Sequence, residues 1–254
     1  MRRGGGCAAL LALPLVLLLL LPVAALVLRA PMAAPKGDAL EAVWVSLRTS
    51  TVATAAILLF GTPLALLLAR RRLPLRRLLE SLVILPAVLP PAAAGLALLL
   101  ALGRQGIFGG PLRQLGIAIP FTASAVVLAQ AYVAAPFFVR PLAAAFRGLP
   151  SDLEEAALID GAGTGALFWR IALPLVRRPL IAALTLAWAR ALGEFGATAL
   201  FAGSRVGVTQ TLPLAIYLGF ETDLDIAAGL SALLLAVAGI VIGATLLLRR
   251  GDEA

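Results

Sequence analysis

Two ionisable side chains, Arg190 and Glu194, interrupt an otherwise apolar run from Pro179 to Ala202. Four residues apart on a helix, they share one face and can pair. Ionisable groups in such a run face a bundle interior or an aqueous cavity and commonly neutralise one another. A lone arginine there would attract an oxyanion, but pairing with Glu194 cancels much of that field. The spacing predicts a structural or gating pair, lining a pathway, in preference to an anion-binding site. Bond-breaking chemistry has little to work with elsewhere. The chain holds one cysteine, Cys7, and no histidine. An internal disulfide is excluded, and the usual means for a Cys/His metal site, haem ligation or Ser-His and Cys-His catalysis are missing. We expect no catalytic residue and no metal site. A phosphate-binding loop needs Gly-Lys-Ser/Thr, whereas the single lysine, Lys36, is followed by Gly37 and Asp38. If ATP drives this protein, another polypeptide binds it.

The second candidate is a polar segment spanning 150–174, which contains Glu155-Ala156-Ala157, Gly161 and Ile171-Ala172-Leu173-Pro174. Ser151 and Glu154 fit a capping box, and Asp152, Glu154 and Glu155 suit the positive end of a helix dipole. A short helix is expected from Asp152 to Asp160, ended by Gly161 in the left-handed conformation. Ala162-Gly163 then turn the chain, and Thr164 is placed to cap a second short helix carrying Leu167, Phe168 and Trp169. Leu173-Pro174 should end that helix, because the residue before proline avoids helical geometry. The product is a compact acidic knob tethered at both ends to apolar helices. An amphipathic helix lying on a membrane surface is the plainer reading.

The elements that hold these groups follow from composition. The 254 residues are 61% hydrophobic and 13% charged, whereas a soluble domain has about 45–50% apolar and about 25% charged residues. The excess lies in runs too long for ordinary core helices, so this is a polytopic membrane protein. A bilayer core of about 30 Å needs about 20 apolar residues as helix. Six segments qualify: Leu10–Leu28, Val43–Ala69, Ser81–Gly103, Gln114–Val139, Pro179–Ala202 and Ile226–Leu248. All six should be helical, because lipid leaves single segments no other partner for backbone polar groups. The expected class is all-α with six transmembrane helices. Several prolines fall within these spans, Pro90-Pro91 in tandem. Followed by Ala92-Ala93-Ala94-Gly95, that pair predicts a kinked helix with a small-residue packing face, either in ordinary bundle packing or in a gate.

Orientation comes from the cations. Fourteen arginines, at 2–3, 70–72, 76–77, 140, 147, 170, 177–178 and 249–250, fall on one side, against Arg29, Lys36, Arg104, Arg113 and Arg205 on the other. That bias places both termini and the 150–174 segment in the cytoplasm. The net charge of +8 and sequence pI of about 11.3 would suggest nucleic acid in a soluble chain, but topology accounts for basic residues gathered between spans. No nucleic-acid partner is expected; the bilayer is one. Arg2-Arg3 before an apolar run also resembles a signal peptide, although the run exceeds a usual h-region, so the first span is expected to be retained. The organisation is then an N-terminal segment over 1–41, a five-helix transmembrane domain over 42–249 and a tail over 250–254.

Glu155-Ala156-Ala157, three residues, Gly161, nine residues, Ile171, one residue and Leu173-Pro174 is similar to the signature loop of binding-protein-dependent ABC importer permeases, with no gap or substitution at those positions. The resemblance implies the type I importer permease fold. It also assigns ATPase coupling to Glu155, Ala156, Ala157, Gly161, Ile171, Leu173 and Pro174. It implies a second permease copy, expected as a homodimer, two cytoplasmic ABC ATPase subunits that bind ATP and Mg²⁺, and an extracytoplasmic oxyanion-binding protein. The chain itself is expected to carry no cofactor. The stretches Ala189–Thr198 and Thr209–Tyr217 resemble the molybdate and tungstate permeases, and somewhat less closely the sulfate and thiosulfate ones. The implied setting is a prokaryotic cytoplasmic membrane, with Gly203–Asp225 outside as a docking surface or a plain solvated loop.

Two other classes compete. An ion-coupled secondary transporter would place ionisable residues in several spans, whereas only Pro179–Ala202 has them near its middle, and no internal repeat is visible. An intramembrane enzyme lacks groups for general acid–base work.

Overall fold

The computed structural model describes residues 5–30, 37–70, 74–150, 152, 159, 161 and 163–250. Within them the chain is helical, with no strand. Four helices are long and apolar enough to cross a membrane as single pieces: α1 (Gly5–Arg29), α2 (Gly37–Ala69), α6 (Ala123–Arg147) and α11 (Leu224–Arg250). Counting two strongly bent pairs as spans brings the number to 6.

The first bent pair corrects the expected span Ser81–Gly103. It is two helices, α3 (Arg76–Val88) and α4 (Pro91–Leu102), that meet at 118°. Leu89 leaves the helix with ψ 136°, as a residue before proline does, and tandem Pro90-Pro91 removes two consecutive donors. Pro63, Pro86 and Pro136 lie inside helices that continue through them. The second correction is to Pro179–Ala202, which breaks after α8 (Arg177–Leu192) and resumes as α9 (Gly196–Ala202). A third concerns Gln114–Val139. Gln114 closes a separate short helix, α5 (Gly109–Gln114), and Gly116 turns the chain at φ 71°. The span α6 begins only after Thr122, whose Oγ1 accepts from the Ala125 N–H at 3.4 Å.

Helix α6 is the axis of the fold. Around its Arg147 half, α2 and α8 bury an alanine-rich cluster that includes Ala65, Ala134, Phe138, Leu142, Ala183 and Ala187. Around its Thr122 half, α4 and α9 bury Ala94, Ala125, Val126, Ala129, Ala197 and Phe201. Apolar transfer supplies little drive between helices in lipid, so close approach through small side chains and dispersion must hold them. Gly61 shows the tolerance: a Cβ there would lie 2.9 Å from the Phe138 ring. Helix α10 (Leu212–Thr222) is pinned to α2 by the Ser46 hydroxyl, which accepts the Leu212 N–H at 2.7 Å.

Candidate functional site

The Arg190–Glu194 pair forms, but across a helix break instead of along one helix face. Helix α8 ends at Leu192, Gly193 donates back to the Ala189 carbonyl at 3.1 Å, and Glu194 lies in the gap before α9. Glu194 is only 1% exposed. Its Oε1 accepts the Ala197 N–H at 2.8 Å, in the first turn of α9. Its Oε2 lies 2.8 Å from Arg190 Nη1, in the last turn of α8, out of line for a hydrogen bond and so an electrostatic contact. One carboxylate thus staples two half-helices. It satisfies a free donor at the N-terminus of α9 and balances a guanidinium that is 28% exposed. Removing either partner would leave the other charge uncompensated, the costly case for a buried pair.

The break in α8–α9 meets the break in α3–α4. A Cβ added to Gly196 would lie 2.7 Å from Pro91 Cβ, and one added to Gly95 would lie 2.7 Å from the Ala197 carbonyl oxygen. The two half-helices α4 and α9 therefore touch backbone to backbone. The Phe121 N–H donates to the Phe201 carbonyl at 3.3 Å, tying the far end of α9 to the approach to α6. Nearby elements bury Gln130 on α6 and Thr198 on α9, both fully enclosed. Glu194 was legible as an ionisable group, but its partner Ala197 and the Gly95 and Gly196 contacts were not. The signal available was Gly193-Glu194-Phe195-Gly196, two glycines flanking a charge.

In the polar segment, Glu155, Ala156 and Ala157 lie outside the described residues, as do Ser151, Glu154 and most of the helix expected from Asp152 to Asp160. Asp152 and Ile159 are helical, and Ile159 is exposed. Gly161 has φ 78° and, among the described residues, no heavy atom within 4 Å of the place of a Cβ, so it is the backbone conformation that favours glycine there. The second short helix is capped one residue earlier than expected: Gly163 is the N-cap, and Thr164 is the first helical residue.

That helix, α7, runs through Thr164–Leu167, a π-helical turn over Phe168–Ala172 and a last turn over Leu173–Leu175. It does not stop at Leu173, which is helical at ψ −45°. The Leu173 N–H donates to the Phe168 carbonyl, five residues back. The wider turn relieves the clash a proline ring makes with the carbonyl of the preceding turn, so Pro174 fits without ending the helix. Ile171 and Leu173 are half-buried and Pro174 is exposed. Phe168 packs on Phe146 of α6, with ring centroids 6.4 Å apart, and edge-on to Trp169 at 5.1 Å. The end of α6 and the α7 half of the segment are thereby gathered together, and α8 departs from α7 at 74°.

At the opposite end of the bundle, a cavity of about 370 Å³ between the end of α4 and the start of α6 is lined by Arg104, Arg113 and glycine-rich backbone. Among the described residues, no carboxylate lies within 4 Å of either arginine, and no cluster of His, Cys, Asp or Glu could hold a metal. Among the described residues the arrangement offers two sharply broken helical regions and a buried charge staple between two half-helices.

Residues 61–250 match the family described as binding-protein-dependent transport system inner membrane component. The chain is 48% identical over 201 residues to the molybdenum transport system permease protein ModB of Mycobacterium tuberculosis, covering 79% of this chain and 76% of that one. It is 35% identical over 216 residues to the sulfate transport system permease protein CysW of Synechococcus elongatus, covering 84% and 76%. Its fold is similar to a chain of a bacterial alginate ABC transporter crystallised with a periplasmic protein carrying an alginate pentasaccharide. That match has a TM-score of 0.69 at 20% identity, covering 94% of this chain and 91% of that chain.

Proposed function

Since the chain belongs to the family of binding-protein-dependent transport system inner membrane components, we propose that it forms the translocation pathway for molybdate or tungstate in an ATP-driven importer. It is a transporter subunit and not an enzyme, and its fold is that of the type I importer permeases. The observation that carries the substrate is the 48% identity to a molybdenum permease along 201 residues.

Two copies of the chain enclose the pathway. Two cytoplasmic ATPases, binding ATP and Mg²⁺, hold the 150–174 segments through Glu155, Ala156, Ala157, Gly161, Ile171, Leu173 and Pro174. Both termini are cytoplasmic, in keeping with the arginine bias. An extracytoplasmic oxyanion-binding protein meets the opposite face, where Arg104, Arg113 and the 203–225 segment lie. Closure of the ATPases moves each segment, and α8 with it. Glu194 transmits that motion across the break to α9, which carries α4 through the Gly95 and Gly196 contacts. In this account Arg190 and Glu194 work as a gate staple and bind no substrate.

The test is uptake by intact cells, and ATP hydrolysis by the assembled transporter, with molybdate, tungstate and sulfate supplied in turn. Molybdate or tungstate should drive both at micromolar concentration, and sulfate should compete poorly. A sulfate or thiosulfate importer is the second reading, favoured by the identity to CysW; sulfate-driven turnover that molybdate does not inhibit would establish it. Uptake sustained by an ion gradient without ATP would reject both.

A further inference from the structure

Helix α6 leads into the 150–174 segment, whose second half is α7 and which runs on into α8, so any pull on it reaches α6 and α8 directly. The other broken span, α3–α4, is not adjacent to the segment in the chain. It nevertheless has to move in step, because α4 and α9 are packed backbone to backbone. Apolar contact supplies part of the link: Leu79 and Val83 of α3 lie against the cluster that contains Leu142 and Phe146 of α6. Such contacts resist separation but slide easily along the helix surface.

One charged contact also crosses from α3 to α6. Glu80 of α3 accepts from Arg76 Nε at 3.0 Å within its own helix, and the same Oε1 lies 3.8 Å from Arg147 Nη1. Arg147 is the last residue of α6, directly before Gly148 and the polar segment, and its Nε is tied to the Ala143 carbonyl at 3.3 Å. Its neighbour Phe146 carries the ring contact to Phe168 at the segment's exit. Among ion pairs between described residues, Glu80–Arg147 is the one that joins two different spans.

Resting on the permease reading above, we infer that Glu80 is a positioning residue that couples the α3–α4 span to the ATPase-driven segment through Arg147. The Glu80 and Arg147 side chains are 38% and 40% exposed, so the pair adds little to stability. Its effect lies in direction: it keeps α3 from sliding when the end of α6 is displaced. Arg76, on the same helix as Glu80, serves as the internal control. A merely structural role for Glu80 would run through the i,i+4 pair with Arg76, whereas a coupling role runs through Arg147.

The experiment compares Glu80→Gln, Arg147→Gln and Arg76→Gln in the assembled transporter, purified through a tag on this chain and reconstituted with its ATPase and binding protein. The readout is ATP hydrolysed per molybdate imported. Glu80→Gln and Arg147→Gln should each raise that ratio about threefold or more, with ATP hydrolysis itself within about twofold of the parent and the double variant no worse than either single one. Arg76→Gln should leave the ratio unchanged. An unchanged ratio in Glu80→Gln, or an equal rise in Arg76→Gln, overturns the inference. If the parent imports no oxyanion with ATP, the permease reading fails instead, and the two failures are told apart by the parent alone.

Discussion

Gly95 of α4 approaches Ala197 of α9 so closely that a single methyl group on Gly95 would sit 2.7 Å from the Ala197 carbonyl oxygen. Two spans broken at different points in the chain are in this way locked together at their breaks. The obstructing atom is backbone and cannot rotate aside. Replacing Gly95 with valine should force α4 from α9, at a cost of about 1–3 kcal/mol typical of overpacking. Uptake should be lost and the thermal midpoint lowered, while Gly110→Ala, where nothing lies within 4 Å of the new atom, should leave both unaltered. Thermal unfolding in detergent and uptake in cells measure the two effects.

Glu194→Gln keeps an oxygen that can accept the Ala197 N–H but removes the charge facing Arg190. The amide retains the cap and loses the staple, so the half-helices should still form but no longer move together. Uptake should fall at least about tenfold, equivalent to about 1.4 kcal/mol of barrier, and ATP hydrolysis should lose its dependence on loaded binding protein. Parental uptake together with parental hydrolysis would remove Glu194 from any gating role.

Gly161 tests the segment with little change to packing, since among the described residues no heavy atom lies within 4 Å of the position of a Cβ. Gly161→Val imposes a side chain on φ 78° and costs about 1–2 kcal/mol in the left-handed region. The turn should shift while membrane insertion stays intact. The expected result is parental abundance in the membrane with uptake reduced several-fold, read by immunoblot and oxyanion accumulation. Equal uptake would deny the segment its coupling task.

Ser46→Ala removes the acceptor of the Leu212 N–H, a buried bond joining residues 166 positions apart. The stranded donor should cost about 1–3 kcal/mol, seen as a lower thermal midpoint. Ser81→Ala removes only an exposed hydroxyl that bonds to its own helix at Arg77 and should leave the midpoint in place.

The left-handed turn at Gly161 and the tandem-proline kink were legible because each is a local effect. Gly161 is favoured by its own backbone conformation, and Pro90-Pro91 lacks two donors whatever surrounds it. The break at Gly193–Phe195 was hidden because apolar residues on both sides read as one helical span, with Arg190 and Glu194 placed on a single face of it. The same blindness extended Gln114–Val139 too far upstream, over a turn where Phe121 adopts φ 62°. Leu173-Pro174 misled for the opposite reason: a sound local rule was overridden by a π-helical turn that makes room for the proline ring.

Composition by itself determined a helical membrane protein, because transfer of apolar groups from water to lipid depends on residue type more than on partners. The spacing from Glu155 to Pro174 determined the family resemblance. Only the tertiary structure decided that Glu194 bridges two half-helices instead of lying on one, that Gly95 and Gly196 seal two breaks together, and that Glu80 faces Arg147. Those are relations between residues tens to more than a hundred positions apart, or across a break that periodicity does not reveal. They arise from close packing, where a difference of one methyl group determines which backbones can touch.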